Sequence, residues 1–340
     1  MGLPEIQITT VATGHGNPAT ARLLGEDFAA AGFPVFSTPV SVAAFPANIW
    51  HRSMTRRAGV YNDNLRGSLA SQLLGIAMAS EAGLRRGLRR ADVLLAVQEL
   101  PLTLFRYLPS LIPVFFRQLY LFIPDVDPKA NAVKLMHQLS PHLTPIVWNQ
   151  SAQDKLKAQD LSPLLARSPF ALLTEAEIAL HRKHQPPYTV LKHSGSGLSP
   201  VLRETALKSS TPDTPLVEIT PDHTIIHGRG SSHTYSNPDF RSMYRTIGLA
   251  HHIISHPSEV VSVLAEIIAR GWQGEVTFFA PRGQHERVNL AFFASLGYPY
   301  STISEDGQIS AFTNELVAHP FTREIAKSQL GTIPLSQILA

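Results

Sequence analysis

Apolar and polar residues follow two different periods along this chain. Short runs rich in β-branched and large apolar residues predict buried strands, whereas segments with an apolar residue every three or four positions predict helices. In the first half, the predicted strands are residues 6–14, 34–42, 92–100, 119–126 and 144–150, and the predicted helices are residues 17–33, 68–91, 132–140 and 152–159. Strands that alternate with helices are typical of a parallel sheet covered on both faces, so the sequence predicts an α/β fold.

The alternation starts again after the proline-containing stretch "HQPPYTV" at residues 184–190. Strands are predicted at residues 189–192, 214–220, 223–228, 251–255 and 275–281, and helices at residues 200–210, 240–250, 258–271 and 284–297. The simplest arrangement is two Rossmann-like domains, residues 1–183 and 184–340, whose parallel sheets face a cleft. The last predicted helices, within residues 312–330, either complete the second sheet or cross back to the first domain.

Composition narrows the class of protein. The 340 residues are 44% apolar and 16% charged, which is typical of a globular chain long enough for two ordinary domains. The absence of cysteine excludes disulfides, thiolate metal sites and a cysteine nucleophile. The amino terminus has neither a basic nor an apolar signal region, and the 15 histidines are scattered without a paired ligand spacing. We therefore expect a cytoplasmic protein without a bound metal.

Two features bear on a membrane partner. The apolar tract at residues 101–124 is interrupted by Arg106, Arg117 and several prolines, so it is too broken to form a spanning helix. A basic cluster ends the apolar helical segment that begins at Leu69, and it comprises Arg85, Arg86, Arg89 and Arg90. Such a cluster favours peripheral contact with anionic lipid, a solvated helix end or a site for an anionic ligand, and all three remain open. Nucleic acid is not expected, because no basic stripe interleaved with aromatic residues runs through the chain.

The loops that follow strands are the candidates for chemistry, because ligands of open parallel sheets bind beyond the carboxyl ends of the strands. They are residues 12–18, 123–129, 192–199, 227–232, 254–259 and 280–289. Within residues 189–210, a buried strand leads to a Gly/Ser loop and then to a helix with Pro200 in its first turn. The free N–H groups at such a helix start attract a phosphate. The alternative is a simple turn with Ser199 as the helix N-cap.

Three segments of the second half occur in an order that resembles the donor domain of GT-B glycosyltransferases. They are "VLKHSGSGLSPVLRETAL", "YRTIGLAHHIISHPSEVVSVLAEI" and "FFAPRGQHERVNLAFFASLGY". The branch they resemble most contains the peptidoglycan lipid-intermediate N-acetylglucosaminyltransferases and the diacylglycerol galactosyltransferases. The first half matches only through its "TGHGN" loop and its general layout. The resemblance implies a GT-B fold and transfer of a hexose from a nucleotide diphosphate sugar, with UDP as the family's usual nucleotide.

The resemblance also implies roles for individual residues. The glycine loop near the donor diphosphate corresponds to Ser194, Gly195, Ser196 and Gly197. Ser258 corresponds to the start of a helix that offers further backbone donors to the diphosphate. Glu266 corresponds to the acid that bonds the nucleotide ribose, and Glu259 is a second candidate because the family's glycine before that acid is absent here. The counterparts of the residues that contact the transferred sugar are Gln284, His285, Glu286 and Asn289. The acceptor-side loop corresponds to Gly14, Gly16 and Asn17.

Sugar transfer with inversion needs a base for the acceptor proton and positive potential at the departing diphosphate. His15 is the first candidate base, because it lies in the first strand-to-helix loop and histidine titrates near neutral pH. Asp125 and Asp127 in "IPDVDPK" are the alternatives. The glycine loop, the helix starts and Arg229 or Arg282 can meet the charge of the leaving group. We therefore expect neither a metal nor a cofactor besides the nucleotide sugar, which is a co-substrate.

Three functions remain open from the sequence. The first is a metal-independent glycosyltransferase whose acceptor is unidentified, with the basic cluster and the apolar tract favouring a lipid-linked one. The second is a nucleotide-sugar epimerase or hydrolase of the same fold, which turns over the donor without an acceptor. The third is a non-catalytic protein that binds a sugar nucleotide. The sequence identifies neither the sugar nor the stereochemical outcome nor the oligomeric state.

Overall fold

The chain forms two compact units, each built on its own sheet. A computed structural model describes residues 2–11, 16–40, 91–102, 105, 112–193, 198–209, 214–220, 223–228, 231–236, 239–258, 260–281, 283–311 and 321–340. Unit 1 comprises Met1–Pro169 together with Gln329–Ala340, and unit 2 comprises Phe170–Ser328. The cleft predicted between two domains stays a prediction.

Strands and helices alternate through most of the described chain. The strands are β1 Ile6–Val11, β2 Val35–Val40, β3 Ala91–Val97, β4 Phe116–Phe122, β5 Leu143–Val147, β6 Leu164–Leu165, β7 Thr189–Lys192, β8 Leu216–Ile219, β9 His223–Gly228, β10 Ser231–Ser236, β11 His252–Ser255, β12 Glu275–Phe279, β13 Ser301–Ile303 and β14 Ile309–Ala311. The helices are α1 Gly16–Ala30, α2 Ile112–Phe115, α3 Ala130–Leu139, α4 Gln150–Lys157, α5 Glu175–His184, α6 Pro200–Ser209, α7 Phe240–Leu249, α8 Val260–Ala269, α9 Gln284–Ser295, α10 Arg323–Ser328 and α11 Leu335–Ile338.

Unit 1 contains a six-stranded sheet in which every pair of neighbouring strands is parallel. The strand order is β2-β1-β3-β4-β5-β6. The chain therefore builds outward from β1 in one direction and from β3 in the other, which makes the β1/β3 junction the switch point of a Rossmann-like sheet. A glycine closes α1, because Gly32 has φ +87° just beyond the helix.

Unit 2 contains an eight-stranded sheet whose centre is parallel and whose edges are not. The order is β10-β9-β8-β7-β11-β12-β13-β14. The five central strands are parallel, in the order β8-β7-β11-β12-β13. Their switch point lies between β7 and β11. The strands β9, β10 and β14 pair antiparallel with their neighbours. The predicted α/β fold with two Rossmann-like sheets is confirmed, and the second sheet adds antiparallel strands at both edges of its parallel centre.

A tight turn explains the reversed strand β9. Thr220 and His223 bond to each other at the end of β8: the Thr220 amide donates to the His223 carbonyl at 2.9 Å, and the His223 amide donates to the Thr220 hydroxyl at 3.0 Å. So short a connection cannot carry the crossover that a parallel neighbour needs. His227 consequently pairs with Leu216, the first residue of β8. The end of β9 therefore lies at the amino edge of the central strands, and the expectation that the 227–232 loop lies at the carboxyl edge is corrected.

The two units meet at a different point of the chain from the boundary drawn at residues 183 and 184. Residues 170–184 belong to unit 2, where α5 packs against α7. Thr174 and Glu177 form a capping box at the start of α5. Arg245 of α7 donates to the Glu177 carboxylate at 2.8 Å and to the Leu172 carbonyl at 2.6 Å. The sequence signal for α5 is the capping-box pattern "TEAE" at residues 174–177.

Most of the described apolar residues in the tract at residues 101–124 lie in the core of unit 1. Leu102, Phe105, Phe116 and Leu119 are all buried in one cluster with the inner faces of α3 and α4. Among the residues that the structure describes, no helix combines the length and apolarity needed to cross a bilayer. The basic cluster at residues 85–90 lies outside the described residues, so peripheral membrane contact stays a prediction.

The last twelve residues leave unit 2 and pack on unit 1. An antiparallel bridge joins Asn149 to Leu330. Further hydrogen bonds run from Gln150 N to Gln329 O (2.9 Å), from Gly331 N to Trp148 O (3.0 Å), from Arg167 N to Ile333 O (2.8 Å) and from Ser336 Oγ to Asp27 Oδ2 (2.9 Å). The carboxyl-terminal segment thus holds the ends of β5 and β6 in unit 1.

We predict that Gly331→Ala weakens this attachment. A Cβ at position 331 would lie 2.2 Å from the Ala166 carbonyl oxygen, which is backbone and cannot rotate away. Such overpacking lowers the free energy of unfolding by about 1–3 kcal/mol, which urea denaturation measures. Gly2→Ala is the matched control, because nothing lies within 4 Å of a Cβ there. Equal unfolding midpoints for the two variants would contradict the packing described.

Candidate functional site

Three of the predicted loops begin side by side at the carboxyl edge of unit 2. Lys192, the last residue of β7, pairs with Ser255 at the end of β11, and Ser255 pairs with Phe278 near the end of β12. Neighbouring strands lie about 5 Å apart, so the loops that start at residues 193, 256 and 280 are immediate neighbours. The structure therefore brings together, at one switch point, the three segments that carry the resemblance to a sugar-nucleotide domain.

The first loop joins β7 to α6. Ser199 caps the helix, because the Leu202 amide donates to the Ser199 hydroxyl at 3.3 Å and the Arg203 amide to its carbonyl at 2.9 Å. Pro200 is the first helical residue, as predicted. The four residues proposed for the donor diphosphate lie outside the described residues, and their role stays a prediction. They are Ser194, Gly195, Ser196 and Gly197.

The second loop, which follows β11, is short and is bound by a side chain of α9. The Ser258 amide donates to the His256 carbonyl at 2.8 Å, and the Ser258 carbonyl accepts from the Val261 amide at 3.1 Å. The Asn289 side chain donates to the Pro257 carbonyl at 3.0 Å. Ser258 therefore begins the turn that leads into α8, as the resemblance implied, and its hydroxyl is enclosed without a hydrogen-bond partner in the described structure.

The four residues predicted to contact the transferred sugar divide into two pairs along α9. Gln284 is exposed and His285 is half-buried at the start of the helix. Glu286 and Asn289 are 6% and 5% exposed, and the Glu286 carboxylate lies 4.0 Å from the His256 ring. The Asn289 side chain bonds to Pro257, so it fixes the second loop to α9. Contact with a sugar stays a prediction for all four.

Glu266, the predicted ribose acid, lies deep in unit 2. All ten residues of α8 are buried, and Glu266 is 1% exposed. Its carboxylate accepts a hydrogen bond from Arg270, one turn further along the helix. The carboxylate is almost wholly enclosed by the protein, and its contact with a ribose stays a prediction. The second candidate, Glu259, lies outside the described residues, as do Arg229 and Arg282.

A buried carboxylate beside the first loop was not predicted to be part of the site. Glu218 of β8 is 1% exposed and binds His193, Arg203 and His227. Burial disfavours the charged form and acts to raise the pKa of Glu218, but the hydrogen bonds from His193, Arg203 and His227 outweigh it and hold this pKa well below its usual range. The sequence signal was an acid inside the apolar run "PLVEI", because a buried acid needs partners.

The carboxyl edge of unit 1 contains a residue with an uncommon backbone conformation. Gln98 follows β3 at the β1/β3 switch point and has φ 74°, which residues with a Cβ rarely adopt. Thr10, Val97 and Phe122 share one level of the sheet, so Gln98 lies beside the loop that follows β4. A shallow pocket there is lined by Gln98, Glu99, Leu121, Ile123, Pro124, Asp125, Lys129 and Ala132.

The predicted alternative bases lie in the loop after β4, and both carboxylates have a lysine partner. Asp125 lies 3.0 Å from Lys129, and Asp127 lies 2.6 Å from Lys155. The end of β5 fixes this loop through bonds from Trp148 Nε1 to Pro124 O (3.0 Å) and from Asn149 Nδ2 to Val126 O (3.1 Å). The catalytic role of these acids stays a prediction.

The remaining predicted residues of unit 1 belong to the first strand-to-helix loop. Gly16 and Asn17 are the first two residues of α1. Gly14 and His15 lie outside the described residues, so the candidate base His15 has no structural test. In the described part of the chain, no group of three histidine or acidic side chains is arranged to hold a metal ion.

Comparisons with known proteins give similarity to solved structures. No family model matches the chain, and no curated protein matches it. Among solved structures, the chain is similar to the glycosyltransferase SnogD from Streptomyces nogalater, with 11% sequence identity, coverage of 98% of this chain and 97% of that chain, and a TM-score of 0.48. A similarity of this size transfers no residue role and no substrate.

Two acidic groups of unit 2 lead us to predict that the free energy of unfolding falls at low pH. The pKa of Glu218 is lowered on folding, and hydrogen bonds from Thr174 and Arg245 lower that of Glu177 to about 2. A lowered folded-state pKa gives stability that is present above the unfolded-state pKa, near 4.5, and is lost as the pH falls below it. For Glu218 the loss approaches about 1.4 kcal/mol for each pH unit below that value.

Urea denaturation between pH 7 and pH 3 tests this prediction. The difference in stability between the wild type and Glu218→Gln should shrink as the pH falls from 4.5 to 3, because the ionised carboxylate is the source of the difference. Glu204→Gln is the control, since it removes an exposed ion pair with Lys208 from the neighbouring helix and should barely change the profile. A difference for Glu218→Gln that is constant with pH would contradict the assignment.

We also predict that position 98 tolerates glycine better than a branched residue. Gln98→Gly removes the steric cost of positive φ, which offsets the greater chain entropy of glycine, so the free energy of unfolding should change by less than about 1 kcal/mol. Gln98→Val places a branched Cβ at φ 74° and should cost about 1–2 kcal/mol. Urea denaturation measures both variants. Equal losses would show that the backbone at position 98 is not left-handed in solution.

Proposed function

We propose that this protein is a glycosyltransferase that takes a hexose from a nucleotide diphosphate sugar, with UDP as the expected nucleotide. The observation that carries the proposal is the meeting of three loops at the β7/β11/β12 edge of unit 2. These loops belong to the three segments that resemble a GT-B donor domain, although they are far apart in the sequence. The edge of a parallel sheet at its switch point is also where nucleotides bind in Rossmann-like folds.

The chemistry of the edge suits a diphosphate. Helices α6, α8 and α9 all begin there, so each directs its first N–H groups and the positive end of its dipole towards the same region. In the proposal, residues 194–197 and Ser258 bind the diphosphate, and Gln284 and His285 contact the sugar from the exposed start of α9. The charge of the leaving group is then met by N–H donors and arginines, without a metal.

The acceptor belongs to unit 1 in this proposal. The pocket beside Gln98, Asp125 and Lys129 lies at the carboxyl edge of that sheet, where Gly14, Gly16 and Asn17 of the first loop also belong. His15 takes the acceptor proton, and Asp125 and Asp127 are the alternative bases. A lipid-linked acceptor and peripheral membrane contact remain part of the proposal. They rest on the basic cluster at residues 85–90.

Nucleotide binding is the first test. Thermal-shift and calorimetric titration with UDP, GDP, TDP, CMP and their common sugar conjugates should give selective stabilisation by one diphosphonucleotide. At about 100 times Kd, the stabilisation is about 2.7 kcal/mol. Gly195→Asp should abolish it, because a carboxylate in the glycine loop repels the diphosphate. Gly2→Asp is the matched control, since it adds the same charge where nothing lies within 4 Å.

Turnover then separates the functions that the sequence left open. Donor consumption that requires an acceptor supports sugar transfer, whereas donor turnover alone supports an epimerase or hydrolase. Selective binding without turnover across a broad acceptor panel supports a non-catalytic protein. If no nucleotide stabilises the folded wild type, the proposed function is wrong.

A further inference from the structure

Glu218 has its full capacity for hydrogen bonds satisfied inside unit 2. One carboxylate oxygen accepts from His193 Nε2 at 2.8 Å and from Arg203 Nε at 2.6 Å, and the other accepts from Arg203 Nη2 at 2.7 Å and from His227 Nε2 at 2.8 Å. A carboxylate offers about four acceptor positions. The pKa of Glu218 is held well below its usual range, so near neutral pH the carboxylate is ionised and can only accept hydrogen bonds. Each imidazole that bonds to it therefore donates from Nε2.

The donors come from the two elements that frame the first loop of the candidate site. Leu191 of β7 pairs with Glu218, and His193 lies two residues further along on the same face of the sheet. Arg203 is in the first turn and a half of α6. One carboxylate therefore connects His193, the residue that follows β7, to the helix that begins after the loop. His227 binds the same carboxylate from β9, the strand on the other side of β8 from β7.

Stability alone does not require a buried ion pair at this position. Glu218 pairs with Leu191 and lies two residues from Leu216 on β8, and both leucines belong to a buried apolar cluster. Well-packed apolar replacements of buried ion pairs are often as stable as the pairs themselves. Contacts between apolar side chains have no preferred orientation. The two parallel hydrogen bonds between a guanidinium and a carboxylate, in contrast, fix both the distance and the angle between the two groups.

We propose that Glu218 is a positioning residue of the nucleotide site: through His193 and Arg203 it sets the separation and orientation of the end of β7 and the start of α6. The proposal rests on the proposed function, because the edge between these two elements is where the diphosphate is expected. Glu218 itself does not touch the nucleotide. It acts through the two elements that do.

The test compares Glu218→Gln with Tyr188→Phe. Glutamine keeps the size of the side chain but has only one acceptor oxygen, so it cannot satisfy both histidines and the arginine. Tyr188 precedes β7, and its hydroxyl donates to the Thr246 carbonyl at 2.6 Å at the amino edge of the same strand. Tyr188→Phe thus removes one hydrogen bond from the same strand but at the opposite edge.

Two quantities are measured on the full chain. The first is the Kd for UDP and for the other diphosphonucleotides, and the second is amide hydrogen exchange without ligand in peptides from residues 198–209. By analogy with residues that orient metal ligands, we expect Glu218→Gln to weaken nucleotide binding by about 10-fold to 100-fold. Exchange at the start of α6 should become faster in the same variant. Tyr188→Phe should lower the melting temperature without either effect.

Histidine variants test the route through His193. Glutamine at this position retains an N–H donor at a similar distance along the side chain, whereas leucine has none. His193→Gln should keep most of the affinity, and His193→Leu should reproduce the loss. This pair also decides the matter if Glu218→Gln does not fold, because His193→Leu leaves the Arg203 pair with Glu218 intact.

The outcomes separate this inference from the proposed function. Wild-type affinity in folded Glu218→Gln and His193→Leu overturns the positioning role. If the wild type binds none of the nucleotides, the proposed function fails, and hydrogen exchange decides on its own whether Glu218 orders the start of α6. Faster exchange throughout unit 2, matched by Tyr188→Phe, would reduce Glu218 to a general stabilising residue and overturn the inference.

Discussion

Parallel pairing of strands is the constraint on which the candidate site depends. A parallel neighbour requires the chain to cross back over the sheet, so every carboxyl end and every loop that follows it comes to one edge. In unit 2 the common level of Lys192, Ser255 and Phe278 makes neighbours of segments that are separated by tens of residues in the sequence. Where the pairing reverses at β9, the chain delivers His227 to the opposite edge instead.

Polar residues near this edge serve two different purposes, and helix periodicity separates them. On α9, Glu286, Asn289 and Phe293 follow one another at intervals of three and four, and all three are buried. Gln284 precedes this stripe and is exposed. A polar residue that continues an apolar stripe faces the protein, so Asn289 holds the loop at Pro257 while the start of the helix faces outward.

The sequence predicted the central strands and most of the helices correctly because their periodicity is local. It missed β10, because "SSHTYS" is exposed at nearly every described position and carries no apolar alternation. The predicted boundary between the units falls too late, because α5, which begins with a capping box at Thr174, already belongs to unit 2. The return of the last twelve residues to unit 1 depends on distant backbone partners such as Trp148. The partners of Glu218 lie 9, 15 and 25 residues away, so only the sheet register reveals them.

The position of an acid along α8 also bears on its distance from a nucleotide bound at this edge. Helix α8 starts at the carboxyl edge with Val260 and runs back along the sheet, so Glu266, six residues further on, lies about 9 Å from that start. A carboxylate at that depth, enclosed in a wholly buried helix and bonded to Arg270, acts on the helix itself. If the proposed nucleotide binds at this edge, its ribose lies closer to the residues that precede Val260 than to Glu266. The ribose contact stays a prediction for both Glu266 and Glu259, and Glu259 is the only acid among the three residues before Val260 in the sequence.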